Sequence, residues 1–294
     1  MFKFFFYNFY LFFYDLLNLV KNFSKKRNFI IILPRCISIL IKKIIIFDKT
    51  KKIFFIQNIR DNYDLLTVYE VFFDEHYNLK NFKNWNIVNS YYDKIKKTNK
   101  KALIVDCGSN IGSSSNYFSR IFFGAFVISI EPEINNFLMI KKNFCSSNSV
   151  LINKAISCDS LDYSLNISED PRGHFINISD LQDKNIKINS IFKEKERGNV
   201  KTITVNEILN NYKNDCIPFL IKIDIEGFEQ NLFYKNFEWM KDFLIIIIEI
   251  HDWMIPNKSI SSNFIKALNE VNKDEKNKRD LIISGENLIS IRRM

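Results

Sequence analysis

The sequence has few of the residues from which metal centres and disulfide frameworks are built. Its histidines and cysteines are His76, His174, His251, Cys36, Cys107, Cys145, Cys158 and Cys216. The cysteine count is odd and no Cys-x-x-Cys spacing occurs, which argues against a disulfide framework or a zinc cluster. A histidine-rich metal site is hard to build from so few histidines, so we expect no bound metal. The cysteine usage fits a reducing cytoplasm.

The chain also lacks the two best-known phosphate-binding loops. A dinucleotide fingerprint needs Gly-x-Gly-x-x-Gly, but the segment that begins at Gly108 has Asn110 and Ser113 at the second and third glycine positions. A Gly-Lys-Ser or Gly-Lys-Thr loop of the Walker type is absent. Because residues 106–112 contain no lysine, this loop is poorly suited to a phosphate-rich ligand and better suited to an uncharged or cationic one.

Charge gives only a weak indication of a partner. The formal net charge is +9, and 47% of the 294 residues are hydrophobic, which is enough for one large domain or a domain with an extension. A basic protein has affinity for nucleic acids and anionic membranes. The lysines are spread along the chain, however, and other residues break the short clusters at 94–101 and 193–197. We therefore expect solvated faces there and no nucleic-acid partner.

The first 20 residues are dense in Phe, Tyr and Leu. Asn8, Asp15 and Asn18 interrupt them, and an Asp at the centre of a spanning helix is costly. No small-residue cleavage site follows, which argues against a signal peptide. We expect an amphipathic or packing helix, with a membrane-surface helix over residues 1–23 as the alternative. We expect residues 1–58 to form an N-terminal accessory region, helical or mixed, and favour a helical extension of the main domain.

From residue 102 onward, apolar strands alternate with helical patterns, which is typical of a parallel sheet covered on both faces. The predicted strands are 102–107, 126–131, 150–156, 218–224 and 244–250, with a closing hairpin at 281–291. The predicted helices are 61–80, 113–122, 134–145, 205–212, 228–235 and 261–271. The polar stretch 157–204, which contains Glu169 to Gly173, predicts an insertion with one or two hairpin strands. We expect one Rossmann-like α/β domain over 59–294.

The most informative stretch is 105–112, which connects a predicted strand to a helix opened by serines. Glycine at Gly108 and Gly112 permits a sharp turn and a close approach of the backbone to a ligand. Glu131, at the tip of the next strand, can accept both hydroxyls of a ribose. Asp106 stands at the tip of the first strand, where it can hold an ammonium group. The loop therefore indicates a cofactor that contains a nucleoside.

Together these groups describe S-adenosylmethionine. One acid lies near the methionine amine, glycine lies under the sulfonium, and a second acid binds the ribose. Charge-assisted hydrogen bonds of this kind contribute about 1.5–3 kcal/mol each. Asn110, inside the loop, is expected to contact the same cofactor, and Asp159, after the third strand, to approach the adenine amine. The alternative for Asp159 is an acid in a surface loop.

A second motif, residues 220–229, is a buried strand that ends in Lys222, Asp224 and Glu226. In open α/β sheets the ligand lies over the carboxyl ends of the strands, so these acids are expected near the reacting methyl group. Asp224 and Glu226 have three interpretations: a general base for an acceptor hydroxyl, ligands of Mg²⁺, or, for Asp224, a cap on the next helix. Lys222 is expected to pair with an acid. His251, after the fifth strand, is another candidate base, and a merely hydrogen-bonded histidine is the alternative.

Three motifs carry a family resemblance. Asp-Cys-Gly-Ser-Asn-Ile-Gly at 106–112, Glu-Pro-Glu at 131–133 and Lys-Ile-Asp-Ile-Glu-Gly-Phe-Glu at 222–229 resemble the FkbM family of S-adenosylmethionine-dependent methyltransferases. The resemblance covers residues 59–251 and includes the entry segment from Arg60 to Tyr77. It implies a class I methyltransferase fold, which is a mostly parallel seven-stranded sheet with helices on both faces. It also implies methylation of a hydroxyl, often on a sugar, a glycolipid or a secondary metabolite.

We therefore predict an S-adenosylmethionine-dependent O-methyltransferase that modifies a small-molecule, glycolipid or polysaccharide acceptor, with Asp224, Glu226 and His251 as catalytic residues. One alternative, suggested by the basic charge, is an RNA or other nucleic-acid methyltransferase. Enzymes that methylate base amino groups usually carry Asn/Asp-Pro-Pro-aromatic where Asp224-Ile-Glu-Gly stands here. Another alternative is a non-catalytic, membrane-associated module on the same fold. The expected location is cytoplasmic, with peripheral membrane contact through residues 1–23 as a second option.

Overall fold

The computed structural model describes residues 27–144, 146–168, 175–176, 194–254 and 259–294. The predictions for the N-terminal helix and its membrane contact, at 1–23, and for the polar turn from Glu169 to Gly173 lie outside these residues. Within them, no helix combines the length and the apolar character needed to cross a membrane.

The described residues form fifteen strands and eight α-helices. The strands are β1 (Phe29–Ile31), β2 (Lys43–Asp48), β3 (Ile53–Asn58), β4 (Lys101–Cys107), β5 (Phe126–Ile130), β6 (Ser149–Ile152), β7 (Ala155–Ser157), β8 (Tyr163–Ser168), β9 (Phe175–Ile176), β10 (Glu194–Val200), β11 (Thr202–Thr204), β12 (Cys216–Ile223), β13 (Ile245–Glu249), β14 (Arg279–Ser284) and β15 (Asn287–Arg292). The helices are α1 (Arg35–Ile41), α2 (Asn62–Phe72), α3 (Trp85–Lys96), α4 (Ser113–Ile121), α5 (Ile134–Asn143), α6 (Val205–Tyr212), α7 (Glu229–Leu232) and α8 (Ser262–Asn272).

Seven strands form the central sheet, in the order β14-β15-β13-β12-β4-β5-β6. The strands β6, β5, β4, β12 and β13 pair in parallel, whereas β15 pairs antiparallel with both of its neighbours. The predicted class I methyltransferase fold and its closing hairpin are confirmed. The chain builds outward from β4 to β6 and then returns to place β12 beside β4. The loops after β4 and β12 therefore face each other at a topological switch point, where α/β sheets bind ligands.

Helices cover both faces of this sheet. Ile245 and Ile247 pack into a core with residues of α2, α3 and α4. Ile246 and Ile248 point the opposite way, into a second core with residues of α6 and α8. Because β13 is buried on both faces, its residues form an unbroken apolar run instead of alternating with polar ones, as expected for a central parallel strand.

The predicted helical extension at the N-terminus is wrong over the described residues. Strands β1, β2 and β3 form a three-stranded antiparallel sheet, and α1 is its single short helix. The sequence does not show the alternation of apolar and polar residues that indicates a strand, because the run 44–47 is apolar on both faces of β2. Within that run only Ile44 and Ile46 are fully buried. These two side chains share the core that lies under α2 and α4. The division of the chain at residue 58 stays a prediction.

The predicted helix 61–80 is shorter than its apolar pattern indicates. Asp61 caps α2 by accepting hydrogen bonds from the backbone N–H groups of Tyr63 and Asp64, and the helix ends at Phe72. A turn follows in which Glu75 has a φ of +53°. Its carboxylate accepts a 2.6 Å hydrogen bond from the N–H of Asn28. The turn replaces the last helical turns and delivers the next residues, 76 and 77, to the edge of the switch point.

Two further boundaries differ from prediction. The third strand, predicted at 150–156, divides into β6 and β7 because the Asn153 amide donates to the carbonyls of Glu131 and Pro132 between them. Strand β7 then pairs in parallel with β11 outside the central sheet. The helix predicted at 228–235 is reduced to the single turn of α7. The predicted insertion contains the antiparallel sheet β10-β8-β9.

Candidate functional site

The loop after β4 turns sharply and lies against the loop after β12. Gly108 has a φ of +76°, and a Cβ added there would stand 1.7 Å from the carbonyl oxygen of Asp224. Gly112 has a φ of +86°, and its Cβ would lie 3.2 Å from Ile140 of α5. The positive φ favours glycine at both positions. At Gly108, in addition, no side chain fits between the two loops. The close approach predicted for this glycine is, in the structure, an approach to protein backbone.

Glu131 follows β5 and is held by backbone amides. Its two carboxylate oxygens accept hydrogen bonds from the N–H of Asn110, at 2.9 Å, and of Glu133, at 3.0 Å. The residue is 5% exposed, and this burial raises the pKa of its carboxyl to about 8 despite the two hydrogen bonds. With Gly108 and Asn110 it lines a cavity of about 60 Å³. The structure thus brings together Gly108, Asn110 and Glu131, as the cofactor prediction requires.

Asp106 lies deeper than the sequence suggested. Its side chain is fully buried, and one oxygen accepts hydrogen bonds from the hydroxyls of Ser114, at 2.6 Å, and Ser115, at 2.5 Å. The other oxygen lies 3.5 Å from Nζ of Lys222. Asp106 is not among the described residues that line the cavities of this site. The carboxylate fixes the first turn of α4, and its contact with a cofactor ammonium stays a prediction.

Asp159 also turns away from the cavities. Its carboxylate accepts a 2.8 Å hydrogen bond from the Tyr163 hydroxyl and pairs with Nζ of Lys235 at 3.0 Å. Partial burial opposes ionisation, but the bonds from Lys235 and Tyr163 prevail and lower the pKa of this carboxyl. Tyr163 in turn accepts a 3.1 Å hydrogen bond from the Asn231 amide of α7. These contacts join β8 to the helix after β12, and the adenine contact of Asp159 stays a prediction.

The predicted pairing of Lys222 with an acid is confirmed. Its ammonium is buried, lies 3.1 Å from an oxygen of Asp224 and donates a 2.8 Å hydrogen bond to the carbonyl of Gly108. Burial favours the neutral amine, yet Asp224 and other negative neighbours raise the pKa of Lys222 well above its usual value. Burial alone would raise the pKa of the Asp224 carboxyl, but the positive charges of Lys222 and His251 together outweigh it and lower that pKa. Lys222 therefore connects the loop after β4 to the loop after β12.

Asp224 does not cap the next helix. The N-cap of α7 is Phe228, and no side chain in the described part of the chain makes a capping hydrogen bond to that helix. The oxygen of Asp224 that does not face Lys222 lies 3.6 Å from Nε2 of His251. The capping interpretation is therefore wrong, and the carboxylate takes part in a side-chain cluster with histidine.

His251 is the centre of that cluster. Its ring is 1% exposed, and Nδ1 lies 2.9 Å from a carboxylate oxygen of Glu229. Its Nε2 lies 3.5 Å from Glu226 and 3.6 Å from both Asp224 and Glu249. Burial lowers the histidine pKa, but Glu229 and the other acids raise it well above the usual value. Four acids thus surround one imidazole.

The acids of this cluster repel one another. Burial raises the pKa of Glu226 well above its usual value, and the charges of Asp224 and Glu249 raise it further. For Glu249 the largest cause is the charge of Asp224, followed by burial, and its pKa is about 8. Glu226 also has a left-handed backbone, with a φ of +54°. A non-glycine residue in this region is strained, and such strain is concentrated at functional sites.

The cluster faces a cavity of about 280 Å³ over the switch point. Its described lining is Thr67, Glu70, Val71, His76, Tyr77, Gly108, Ser109, Asn110, Ser114, Lys222, Asp224, Glu226, Glu249, His251, Trp253, Glu286 and Asn287. It adjoins the smaller cavity, since Gly108, Asn110, Asp224 and Glu226 line both. All three predicted catalytic residues therefore face one cavity, and the predicted ribose ligand lines its neighbour.

The sequence analysis assigned no role to three of the groups that shape this site. Glu229, the buried partner of His251, is the last residue of the 222–229 motif, and that motif was the available signal. Glu249 ends β13, two residues before His251. His76 lines the cavity only because α2 ends early, which the apolar pattern of 61–80 did not indicate.

Arg60, in the predicted entry segment, has a supporting role. Its guanidinium donates to both oxygens of Asp64, at 2.8 Å each, and to the Asn136 amide oxygen at 2.7 Å. These bonds join the start of α2 to α5. Tyr77, from the same segment, lines the larger cavity and is 8% exposed.

A family model described as the methyltransferase FkbM domain matches residues 106–273. The match begins at Asp106 and contains both facing loops, Glu131 and the His251 cluster. No curated protein matches the chain significantly.

Similar solved structures are distant methyltransferases. The precorrin-6y C5,15-methyltransferase from Geobacter metallireducens GS-15 is 7% identical, with a TM-score of 0.31, over 73% of this chain and 92% of that chain. The plantazolicin methyltransferase BpumL, in complex with a monoazolic desmethylPZN analog and SAH, is 13% identical, with a TM-score of 0.38, over 79% of this chain and 88% of that chain. The N-terminal domain of human METTL16, in complex with SAH, is 11% identical, with a TM-score of 0.33, over 70% of this chain and 67% of that chain.

Proposed function

This chain belongs to the methyltransferase FkbM domain family, and on that premise we propose that it transfers the methyl group of S-adenosylmethionine to a hydroxyl of a sugar, glycolipid, polysaccharide or secondary metabolite. The observation that carries the proposal is the meeting of two features at one switch point. A buried carboxylate, Glu131, lines the smaller cavity, and an acidic cluster around His251 lines the larger one.

The described residues fit the cofactor at the smaller cavity. Glu131 offers two oxygens to the ribose hydroxyls, and Ile156 and Phe228 supply apolar surface for the adenine ring. The amide oxygen of Asn110 is buried without a hydrogen-bond partner among the described residues, which leaves an acceptor for a cofactor hydroxyl or amine. Gly108 borders both cavities, so a cofactor whose nucleoside lies in the smaller cavity would place its sulfonium beside this residue, facing the larger one. Asp106 supports this loop from behind through the serines of α4.

The larger cavity fits an acceptor that is neutral or cationic. Its described lining has five acids, which are Glu70, Asp224, Glu226, Glu249 and Glu286, and only one lysine, which is buried and paired. Among the described residues, such a lining offers a chain of phosphates no lysine or arginine besides the buried, paired Lys222. It therefore disfavours the nucleic-acid alternative, despite the net charge of +9.

The reaction is an in-line displacement. The acceptor oxygen attacks the methyl carbon, a C–O bond forms, the C–S bond breaks, and S-adenosylhomocysteine leaves with the electron pair. Positioning supplies much of the acceleration, since well-oriented reactants can save about 7–11 kcal/mol. The acceptor proton passes to the cluster of Asp224, Glu226 and His251, whose side chains face the cavity where the hydroxyl must lie.

Comparative mass spectrometry tests the proposal across all of these acceptor classes at once. Polysaccharides, glycolipids and small metabolites are extracted from cells with the protein, without it, and with the Asp224→Asn variant. We expect a species that is lighter by one methylene in the last two samples. If the three extracts match while the wild-type protein is folded and present, O-methylation of these classes is refuted. Methylated RNA that disappears with the protein would instead favour the nucleic-acid alternative.

A further inference from the structure

Three potential metal ligands converge on one point beside the larger cavity. Asp224 follows β12, Glu249 ends β13, and His251 lies two residues further on. One donor atom from each lies within 4.8 Å of the other two. Neighbouring parallel strands end at the same edge of the sheet, which is why residues from distant parts of the sequence meet here.

The separations on the Nε2 side of His251 match the spacing of ligands around one ion. Its Nε2 lies 3.6 Å from oxygens of both Asp224 and Glu249, and 3.5 Å from Glu226. The short hydrogen bond of this imidazole, 2.9 Å long, lies on the other side of the ring, between Nδ1 and Glu229. The separations on the Nε2 side all exceed hydrogen-bond length. They do fit ligands of one ion, because donors about 2.0–2.2 Å from a metal lie about 3–4 Å from each other.

The other side of the imidazole provides an independent indication. Nδ1 is hydrogen-bonded to the carboxylate of Glu229, and both side chains are 1% exposed. Metal-ligating histidines almost always donate their second ring N–H to a carboxylate or carbonyl, which fixes the tautomer and turns the free lone pair to the metal. Here Nε2 makes no hydrogen bond within the described residues and faces the carboxylates, so a cation bound among them would displace the Nε2 proton and take its lone pair. An acidic surface cluster would not need this buried support.

We propose that Asp224, Glu249 and His251 bind one divalent cation of the Mg²⁺ or Mn²⁺ class, with Glu229 as the positioning residue for the histidine. Carboxylate oxygens with a single imidazole suit these ions better than Cu or a zinc cluster. The scarcity of histidine led us to expect no metal, but that reasoning excludes only histidine-rich sites. The role of the ion rests on the proposed function, since a cation at this point would lower the pKa of an acceptor hydroxyl. Glu226 would then be the carboxylate left to take the proton.

Titration of the full-length protein with Mn²⁺ tests the site directly. The protein is stripped with EDTA, dialysed and titrated while free Mn²⁺ is followed by electron paramagnetic resonance. We expect one saturable site per chain. Asp224→Asn and His251→Ala should each weaken binding at least about 10-fold, and Glu229→Gln should weaken it about 10–100-fold, as loss of a supporting carboxylate does. Glu286→Gln is the matched control, because this acid lines the same cavity outside the donor group.

The wild-type titration alone can overturn the inference. Absence of saturable Mn²⁺ binding, or equal weakening by Glu286→Gln and Asp224→Asn, refutes the site. A parallel calorimetric titration with S-adenosylhomocysteine in EDTA separates this result from the proposed function. Cofactor binding and methyl transfer without any Mn²⁺ site would refute the metal and leave the methyltransferase. Mn²⁺ binding without cofactor binding would support the metal site and refute the methyltransferase.

Discussion

The two sides of the switch point are built in different ways. On the β4 side, the carboxylate of Glu131, which follows β5, is held by backbone N–H groups of Asn110 and Glu133. On the β12 side, four acids from the loop after β12, from β13 and from α7 surround His251. The first arrangement fixes a shape with few partners, as a binding cradle requires. The second concentrates charge, as proton transfer or cation binding requires.

The largest expected effect comes from the glycine that lets the two sides meet. In Gly108→Ala the new methyl would stand 1.7 Å from the Asp224 carbonyl oxygen, so the loops must separate. We expect loss of several kcal/mol of unfolding free energy in urea, together with loss of S-adenosylhomocysteine binding. Gly124→Ala is the control, because Gly124 also has a positive φ, +93°, but no atom of the described residues lies within 4 Å of its added Cβ. It should lose only the cost of a left-handed alanine, about 1–2 kcal/mol. Equal losses in the two variants would contradict the close approach.

Next in size is the effect of Glu131 on cofactor affinity. Two charge-assisted hydrogen bonds to the ribose are each worth about 1.5–3 kcal/mol. Glu131→Ala should therefore weaken S-adenosylhomocysteine binding at least about 100-fold in calorimetry. Asp159→Asn, whose carboxylate is engaged by Lys235 and Tyr163, should change the affinity only a few-fold. If Asp159→Asn weakens S-adenosylhomocysteine binding more than Glu131→Ala does, Asp159 is the cofactor ligand and the ribose assignment fails.

Burial of Glu131 predicts a pH dependence of stability. Its pKa is about 8 in the folded protein, against an ordinary value of 4.5, so the folded state holds the proton more tightly than the unfolded state. The unfolding free energy of the wild type should therefore fall, relative to Glu131→Gln, as pH rises from about 5 to 8, by a few kcal/mol. Cofactor affinity should rise over the upper part of this range, because the ionised carboxylate accepts both ribose hydroxyls. Parallel stability curves for the two proteins in urea would contradict the assignment.

The smallest expected effect tests the structural role of Asp106. Ser115→Ala removes a hydroxyl that bonds to Asp106 and to Ser129. We expect about 1–3 kcal/mol of lost unfolding free energy with cofactor affinity within about 2-fold of the wild type. Ser119→Ala, which removes a bond to the Asn116 carbonyl on the same helix, is the control and should cost less. A large change of affinity in Ser115→Ala would favour direct contact between Asp106 and the cofactor.

The same contrast explains how much could be predicted from the sequence. The β4 side depends on glycines and on an acid at a strand tip, which are local signals, and Gly108, Asn110 and Glu131 were found and do meet. The central strands were found because burial on both faces leaves long apolar runs. The β12 side depends on contacts between distant residues, so Glu229 and its bond to His251 were missed. The N-terminal sheet was missed because its inner and outer faces are both apolar.

A crystal structure of the protein with S-adenosylhomocysteine tests the central claim most directly. The claim is that the nucleoside lies across the ends of β4 and β5 with its ribose on Glu131. We predict both ribose hydroxyls within about 2.5–3.0 Å of the Glu131 carboxylate, the adenine beside Phe228, and the sulfur facing the cavity of the His251 cluster. A nucleoside bound elsewhere, or a ribose whose hydroxyls have no contact with Glu131, would contradict the account.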